Sequence, residues 1–135
     1  MSLRITRRRA AALLLLLLAA RADTDEELRA RLVGRWTEER NAGCTRYRQQ
    51  MKLEADGRFE VNGLTDDCGK VTLFTWRGTW YVKGFRFGYV TAESSQPERF
   101  RPGAVLEDEI VSVSESEWVM LEQSTGTKSV ARRER

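Results

Sequence analysis

From Gly34 onward, apolar and polar residues alternate in short segments separated by Gly, Asp, Ser and Asn. A period of two predicts antiparallel strands with one buried face. The stretch "DTDEELRARLVGRW" before it follows a different rule. Thr24 and Glu27, three apart, form a capping box, and Leu28 and Leu32 share one helical face. Asp25 and Glu26 suit the positive end of a helix. The pattern predicts a short helix that stops near Gly34, then eight or nine strands joined mostly as neighbours. Repeated hairpins with one apolar face favour closure, because closure removes exposed edges. The expected fold is all-β: an antiparallel up-and-down β-barrel of about eight strands with a short N-terminal helix.

The apolar positions also select hairpin registers. Around Asp56-Gly57, a three-residue loop with Gly57 left-handed pairs Leu53 with Phe59 and Met51 with Val61, whereas a two-residue loop mixes the faces. In "SVSESEWVM", a four-residue loop from Ser114 to Glu117 sets Val113 opposite Trp118 and Val111 opposite Met120. A three-residue loop at Thr125-Gly126 sets Val130 opposite Met120. A two-residue Lys83-Gly84 turn in "FTWRGTWYVKGFRFGY" sets Val82 opposite Phe85, Trp80 opposite Phe87, Gly78 opposite Tyr89 and Trp76 opposite Thr91. Seven of those sixteen residues are aromatic, with basic residues between them. The register sends Trp76, Trp80, Phe87, Tyr89 and Phe74 to one face and Arg77, Tyr81 and Arg86 to the other. A nucleic-acid stacking platform would present the two kinds together. The segment Ala92 to Asp108 has two prolines and little strand character, and reads as a long loop. In it, Phe100 lies between Arg99 and Arg101, as a lid, a partner contact or part of a solvated crossover.

The N-terminus changes the charge picture. Arg4, Arg7, Arg8 and Arg9, the run "AAALLLLLLAA" and Ala20-Arg21-Ala22 form a secretory signal pattern, with cleavage expected before Asp23. Residues 1–22 are therefore expected to be a signal peptide and 23–135 a single domain. The whole chain has 23 basic and 20 acidic residues, net +3. The signal holds five arginines and no acid, so the mature chain has 18 against 20, net −2. That removes the main support for a nucleic-acid partner or an anionic membrane surface. The expected location is periplasmic or extracellular, with no membrane span after cleavage.

Two cysteines in an exported chain favour a disulfide. In the register chosen for Leu53 and Phe59, opposed residue numbers sum to 112, and Cys44 and Cys68 satisfy that sum. The chain contains no histidine, which excludes His-dependent triads and His-ligated zinc or copper. No nucleophile elbow or phosphate-binding glycine loop occurs. Asp66-Asp67 falls short of a calcium pattern. The expectation is a non-enzymatic protein with no metal and no cofactor.

"LVGRW" (Leu32 to Trp36), "RGTWYVKGFRF" and "LEQSTGTKSVARR", in this order after a short helix, resemble the lipocalin-like barrels of the calycin group, particularly the short bacterial lipocalin-like domains. The resemblance implies that Gly34 and Trp36 open strand one and that an arginine near the end of the last strand packs across the Trp. Arg132 is the expected match, by its parity with Val130, and Arg133 replaces it if a bulge intervenes. The resemblance also implies a small hydrophobic ligand inside the barrel. The candidate wall is Met51, Phe59, Trp76, Trp80, Phe87, Tyr89 and Met120; the competing reading has these side chains fill the barrel. A protein partner is the alternative. The chain also resembles small periplasmic inhibitors of secreted metalloproteases, in which Asp23 to Glu27 would be the inhibitory segment. An envelope structural role without a ligand is the third possibility.

Overall fold

The computed structural model describes residues 23–135, so the expected signal segment lies outside the described residues. Helix α1 (Asp25–Leu32) begins where the capping box places it, with the Thr24 hydroxyl oxygen accepting the Glu27 N–H at 3.1 Å. Its apolar face, Leu28 and Leu32, is buried. Eight strands follow: β1 (Gly34–Ala42), β2 (Thr45–Leu53), β3 (Arg58–Asp67), β4 (Lys70–Lys83), β5 (Arg86–Ser94), β6 (Val105–Val113), β7 (Glu117–Glu122) and β8 (Lys128–Arg133). Each pairs antiparallel with the next, and β8 returns to β1 through Trp36 opposite Arg133, closing an eight-stranded barrel. This is the expected up-and-down architecture, consistent with a calycin-like fold.

α1 shuts one end. The Trp36 indole N–H donates to the Leu32 carbonyl at 2.8 Å, and the Asp25 carboxylate accepts the Gly84 N–H at 3.0 Å. The Arg29 guanidinium lies 4.8 Å from the Trp80 ring centroid and donates to the Ala55 carbonyl. The floor beneath is aromatic. Trp36 meets Trp118 edge-on at 5.7 Å, Trp118 meets Phe87 at 4.8 Å, and Leu53 and Val61 fill the gaps.

The β2–β3 hairpin has the expected register throughout. Gly57 is left-handed, Leu53 faces Phe59, and the ladder runs to Thr45 opposite Asp67. The next pair outward is Cys44 and Cys68, which form a disulfide.

The other hairpins depart from expectation in instructive ways. The β4–β5 turn is Gly84-Phe85, both with positive φ, rather than Lys83-Gly84. Val82 therefore faces Phe87, Trp80 faces Tyr89 and Gly78 faces Thr91. The slip is two residues, so the strand side chains keep their faces, and Phe74, Trp76, Trp80, Phe87 and Tyr89 point inward as predicted, Phe85 excepted. Phe85 takes the exposed turn position. A bulge between Arg77 and Gly78 then sets Trp76 opposite Ser94 rather than Thr91. A Cβ on Gly78 would lie 1.8 Å from the Val90 carbonyl oxygen.

Strand β5 runs to Ser94 and β6 begins at Val105, so Ala92–Ser94 and Val105–Asp108 are strand and not loop. In β6–β7, Val113 faces Trp118 as expected, but a bulge at Val111 puts Ile110 opposite Met120. Ile110 is buried and Val111 is exposed. In β7–β8 the connection is longer than the expected three residues, and Met120 faces Ser129 instead of Val130. A one-residue slip reverses the faces of β8. Ser129 and Ala131 are buried, while Val130 is 40% exposed. Arg132 consequently points to solvent. Arg133 closes the floor, its guanidinium 4.3 Å from the Trp36 ring centroid and donating to the Val33 carbonyl at 2.9 Å.

Candidate functional site

The end of the barrel opposite α1 holds a cavity of about 430 Å³. Of the seven candidate wall residues, Met51, Trp76, Phe87, Tyr89 and Met120 line it. Phe59 and Trp80 do not. Phe59 packs edge-on against Trp76 at 5.1 Å, and Trp80 donates its indole N–H to the Glu54 carbonyl at 3.0 Å. Phe59 thus packs behind the lining, and Trp80 belongs to the α1 end, under Arg29.

The connection between β5 and β6 reaches over the opening. Phe100 stacks on Trp76, centroids 4.6 Å apart and planes 5° from parallel, and also touches Phe74. Its neighbour Arg99 sits over the rings of Tyr47, Phe74 and Phe100 at 5.3–5.8 Å. Phe100 is thus packed on the aromatic wall rather than free in solvent.

The opposite wall is polar. Glu38, only 4% exposed, accepts from Arg40 Nε at 2.6 Å and from Gln49 Nε2 at 2.9 Å. Gln49 Oε1 accepts from the Tyr47 hydroxyl at 2.5 Å. Arg40 also pairs with Glu122, which the Thr125 hydroxyl contacts at 3.1 Å. Asp108 stands directly opposite Glu122 on the β6–β7 ladder. Cross-strand neighbours of this kind have Cβ atoms about 5 Å apart.

Burial and then the Glu122 charge push the Asp108 carboxyl up to about 6. Burial, followed by Glu38, pushes the Tyr47 phenol up to about 12. Tyr89 is raised too, mainly by burial. Burial works against the Arg40 charge, but hydrogen bonds and charge from Glu122 and Glu38 outweigh it and raise its pKa.

Sequence reasoning missed this polar wall. The signal was present: Glu38 and Arg40 follow Trp36 at even spacing, and Tyr47 and Gln49 precede Met51 at even spacing. Parity therefore sends all four inward. Ser129 could not be found without the true β7–β8 register. Among the described residues, four buried polar atoms have no hydrogen-bond partner: Trp76 Nε1, Ser129 Oγ, Thr65 Oγ1 and Trp118 Nε1. The first three belong to residues that line the cavity. Tyr81, the one aromatic expected outside the barrel, covers Gly88 and donates its hydroxyl to Glu107 at 2.6 Å.

Among the described residues no group of three His, Cys, Asp or Glu side chains could hold a metal ion. No protein-family profile matches the chain, and no curated protein matches it either.

Proposed function

We propose that the chain is an exported, non-enzymatic binding protein, a lipocalin-like barrel that holds a small molecule with a hydrophobic body in the cavity beneath Phe100. The observation that carries this reading is the cavity itself. It is closed by α1 and the aromatic floor at one end, and reached past the β5–β6 connection at the other. Its volume of about 430 Å³ falls in the lower part of the ~300–1,000 Å³ range of small-molecule pockets. Trp76, Phe87, Tyr89, Met51 and Met120 supply apolar contact, and the few polar groups opposite them supply orientation. The disulfide supports export, since such bridges persist in oxidising compartments. The metalloprotease-inhibitor alternative gains no specific support: Asp25, Glu26 and Glu27 form the first turn of α1, and Asp25 is tied to Gly84.

The test is native mass spectrometry together with tryptophan quenching, using retinol, a C8–C16 fatty acid and fatty alcohol series, and simple phenols. Trp76 lines the cavity, so an occupant is expected to quench emission and to appear as a retained mass. A barrel that stays empty and unquenched across the series sinks the reading.

A further inference from the structure

The charges inside the barrel do not balance. Glu38, Asp108 and Glu122 line the cavity with two arginines, Arg40 and Arg99, and both Glu38 and Glu122 already engage Arg40. Arg99 is at the mouth, over aromatic rings, and forms no ion pair among the described residues. Asp108 likewise forms no ion pair there; a hydrogen bond from the Gln123 backbone and, less, the Arg40 charge favour its ionised form. Two facing carboxylates in a partly buried site repel one another unless a cation or a proton enters between them.

A second, independent observation points the same way. Ser129 and Trp76 are each 4% exposed, both line the cavity, and Ser129 Oγ and Trp76 Nε1 have no partner. Buried donors and acceptors left unmade are costly, so two such groups on residues that line a cavity mark where an occupant's polar atoms belong. Ser129 faces Met120, two positions along β7 from Glu122, which places its hydroxyl on the acidic side. Trp76 is on the aromatic side, against Tyr89 and Phe100. An indole N–H only donates, so the occupant needs an oxygen acceptor at that end.

We infer that the ligand is a small amphipathic organic cation: a protonated amine held by Asp108, Glu122 and Ser129, an apolar body along Trp76, Tyr89 and Met120, and an oxygen acceptor for the Trp76 indole N–H. This rests on the binding-barrel reading and names the ligand class for the same cavity. The aromatic wall adds attraction for a positive charge. An anionic occupant meets the carboxylate surplus. A metal ion lacks a three-donor group among the described residues. The Phe100 ring, stacked on Trp76, covers the surface that a flat ligand body would use, so ligand entry displaces it.

The test uses three near-isosteric probes on the purified protein by isothermal titration calorimetry at pH 7.5: tyramine, the uncharged alcohol tyrosol, and the anion 3-(4-hydroxyphenyl)propionate. Tyramine is expected to bind at least tenfold more tightly than tyrosol, with the anion weakest. Asp108→Asn is expected to lower tyramine affinity at least tenfold and so narrow its advantage over tyrosol, its fold checked by circular dichroism.

A titration of the unmodified protein gives a second arm that does not depend on the variant folding. Asp108 faces Glu122 on β7, Glu38 and Arg40 on β1, Tyr47 on β2 and Tyr89 on β5. Of these, Asp108 takes up a proton as pH falls through about 6, while the amine stays charged. Tyramine affinity is therefore expected to drop between pH 7 and 5, with tyrosol affinity level. Equal binding of tyramine and tyrosol, or preference for the anion, overturns the cation inference and leaves the binding barrel standing. Binding of none of the three, with the lipid and phenol series also negative, overturns both.

Discussion

Arg133 joins three parts of the chain through one side chain. Its guanidinium covers the Trp36 ring and donates to the carbonyls of Val33 at 2.9 Å, Glu115 at 2.8 Å and Arg31. It thereby ties the end of β8 to the exit of α1 and to the β6–β7 turn. Loss of charge-assisted hydrogen bonds and of a cation–π contact predicts that Arg133→Ala destabilises the barrel by about 2–3 kcal/mol. Arg132→Ala, at an exposed position, is expected to change stability by less than ~0.5 kcal/mol. Urea denaturation of the two variants checks this, and equal effects would remove the role assigned to Arg133. Gly78 is the second residue of this kind. A methyl group there meets the Val90 carbonyl oxygen at 1.8 Å, so Gly78→Ala must open the β4–β5 bulge. Overpacking of that severity is expected to cost about 2–3 kcal/mol, measured as a fall in denaturation midpoint.

At the level of elements, the β2–β3 hairpin and its disulfide stand apart. Every pair from Leu53–Phe59 to Thr45–Asp67 is in register, and the Cys44–Cys68 bridge clasps the far end. The bridged residues are 24 apart in sequence. In the chain-entropy model, closing such a loop stabilises by roughly 3–4 kcal/mol. The double variant Cys44→Ser/Cys68→Ser is therefore expected to lose about that much, read from the urea midpoint of each form. A double variant as stable as the bridged protein would show that the ladder alone holds this end. The hairpins around the bulges were less legible. Val111 and Val130 are apolar, and binary patterning sends apolar residues inward, yet both face solvent while Ser129 is buried. The reason is local. A bulge or a longer turn shifts register without changing composition, and a cavity that admits polar side chains removes the penalty that would have opposed the shift.

Across the whole molecule, an aromatic floor and α1 close one end, and a mixed polar and aromatic cavity occupies the other. This asymmetry has a pH signature. Asp108 is raised from 3.8 to about 6 in the folded barrel, first by burial and then by Glu122. An acid with a raised native pKa binds its proton more tightly when folded. Between about pH 4 and 6 the native state therefore holds the extra proton, and this contribution to stability falls as pH rises through that window. Above pH 6 the facing carboxylates leave a constant penalty. Asp108→Asn removes the group, so the difference in melting temperature between variant and unmodified protein is expected to grow from pH 4 to 6 and then level off. A flat difference curve would mean that Asp108 ionises normally.

The sequence by itself determined the helix start at Thr24, the barrel class, the aromatic-inward face of β4 and β5, and the cysteine pairing. Each of these rests on a local rule: a capping box, a period of two, or a turn whose register only one pairing satisfies. It also contained the inward parity of Glu38, Arg40, Tyr47 and Gln49, because alternation continues whatever the side chain. The tertiary structure alone decided the rest. Bulges at Gly78 and Val111 and the β7–β8 turn length chose which residues of distant strands meet. They brought Asp108 against Glu122, Ser129 into the wall and Arg133 over Trp36. They also left about 430 Å³ unfilled. Alternation says which way a side chain points. It says nothing of how far along the next strand its partner lies, and in a closed barrel that offset decides which charges become neighbours.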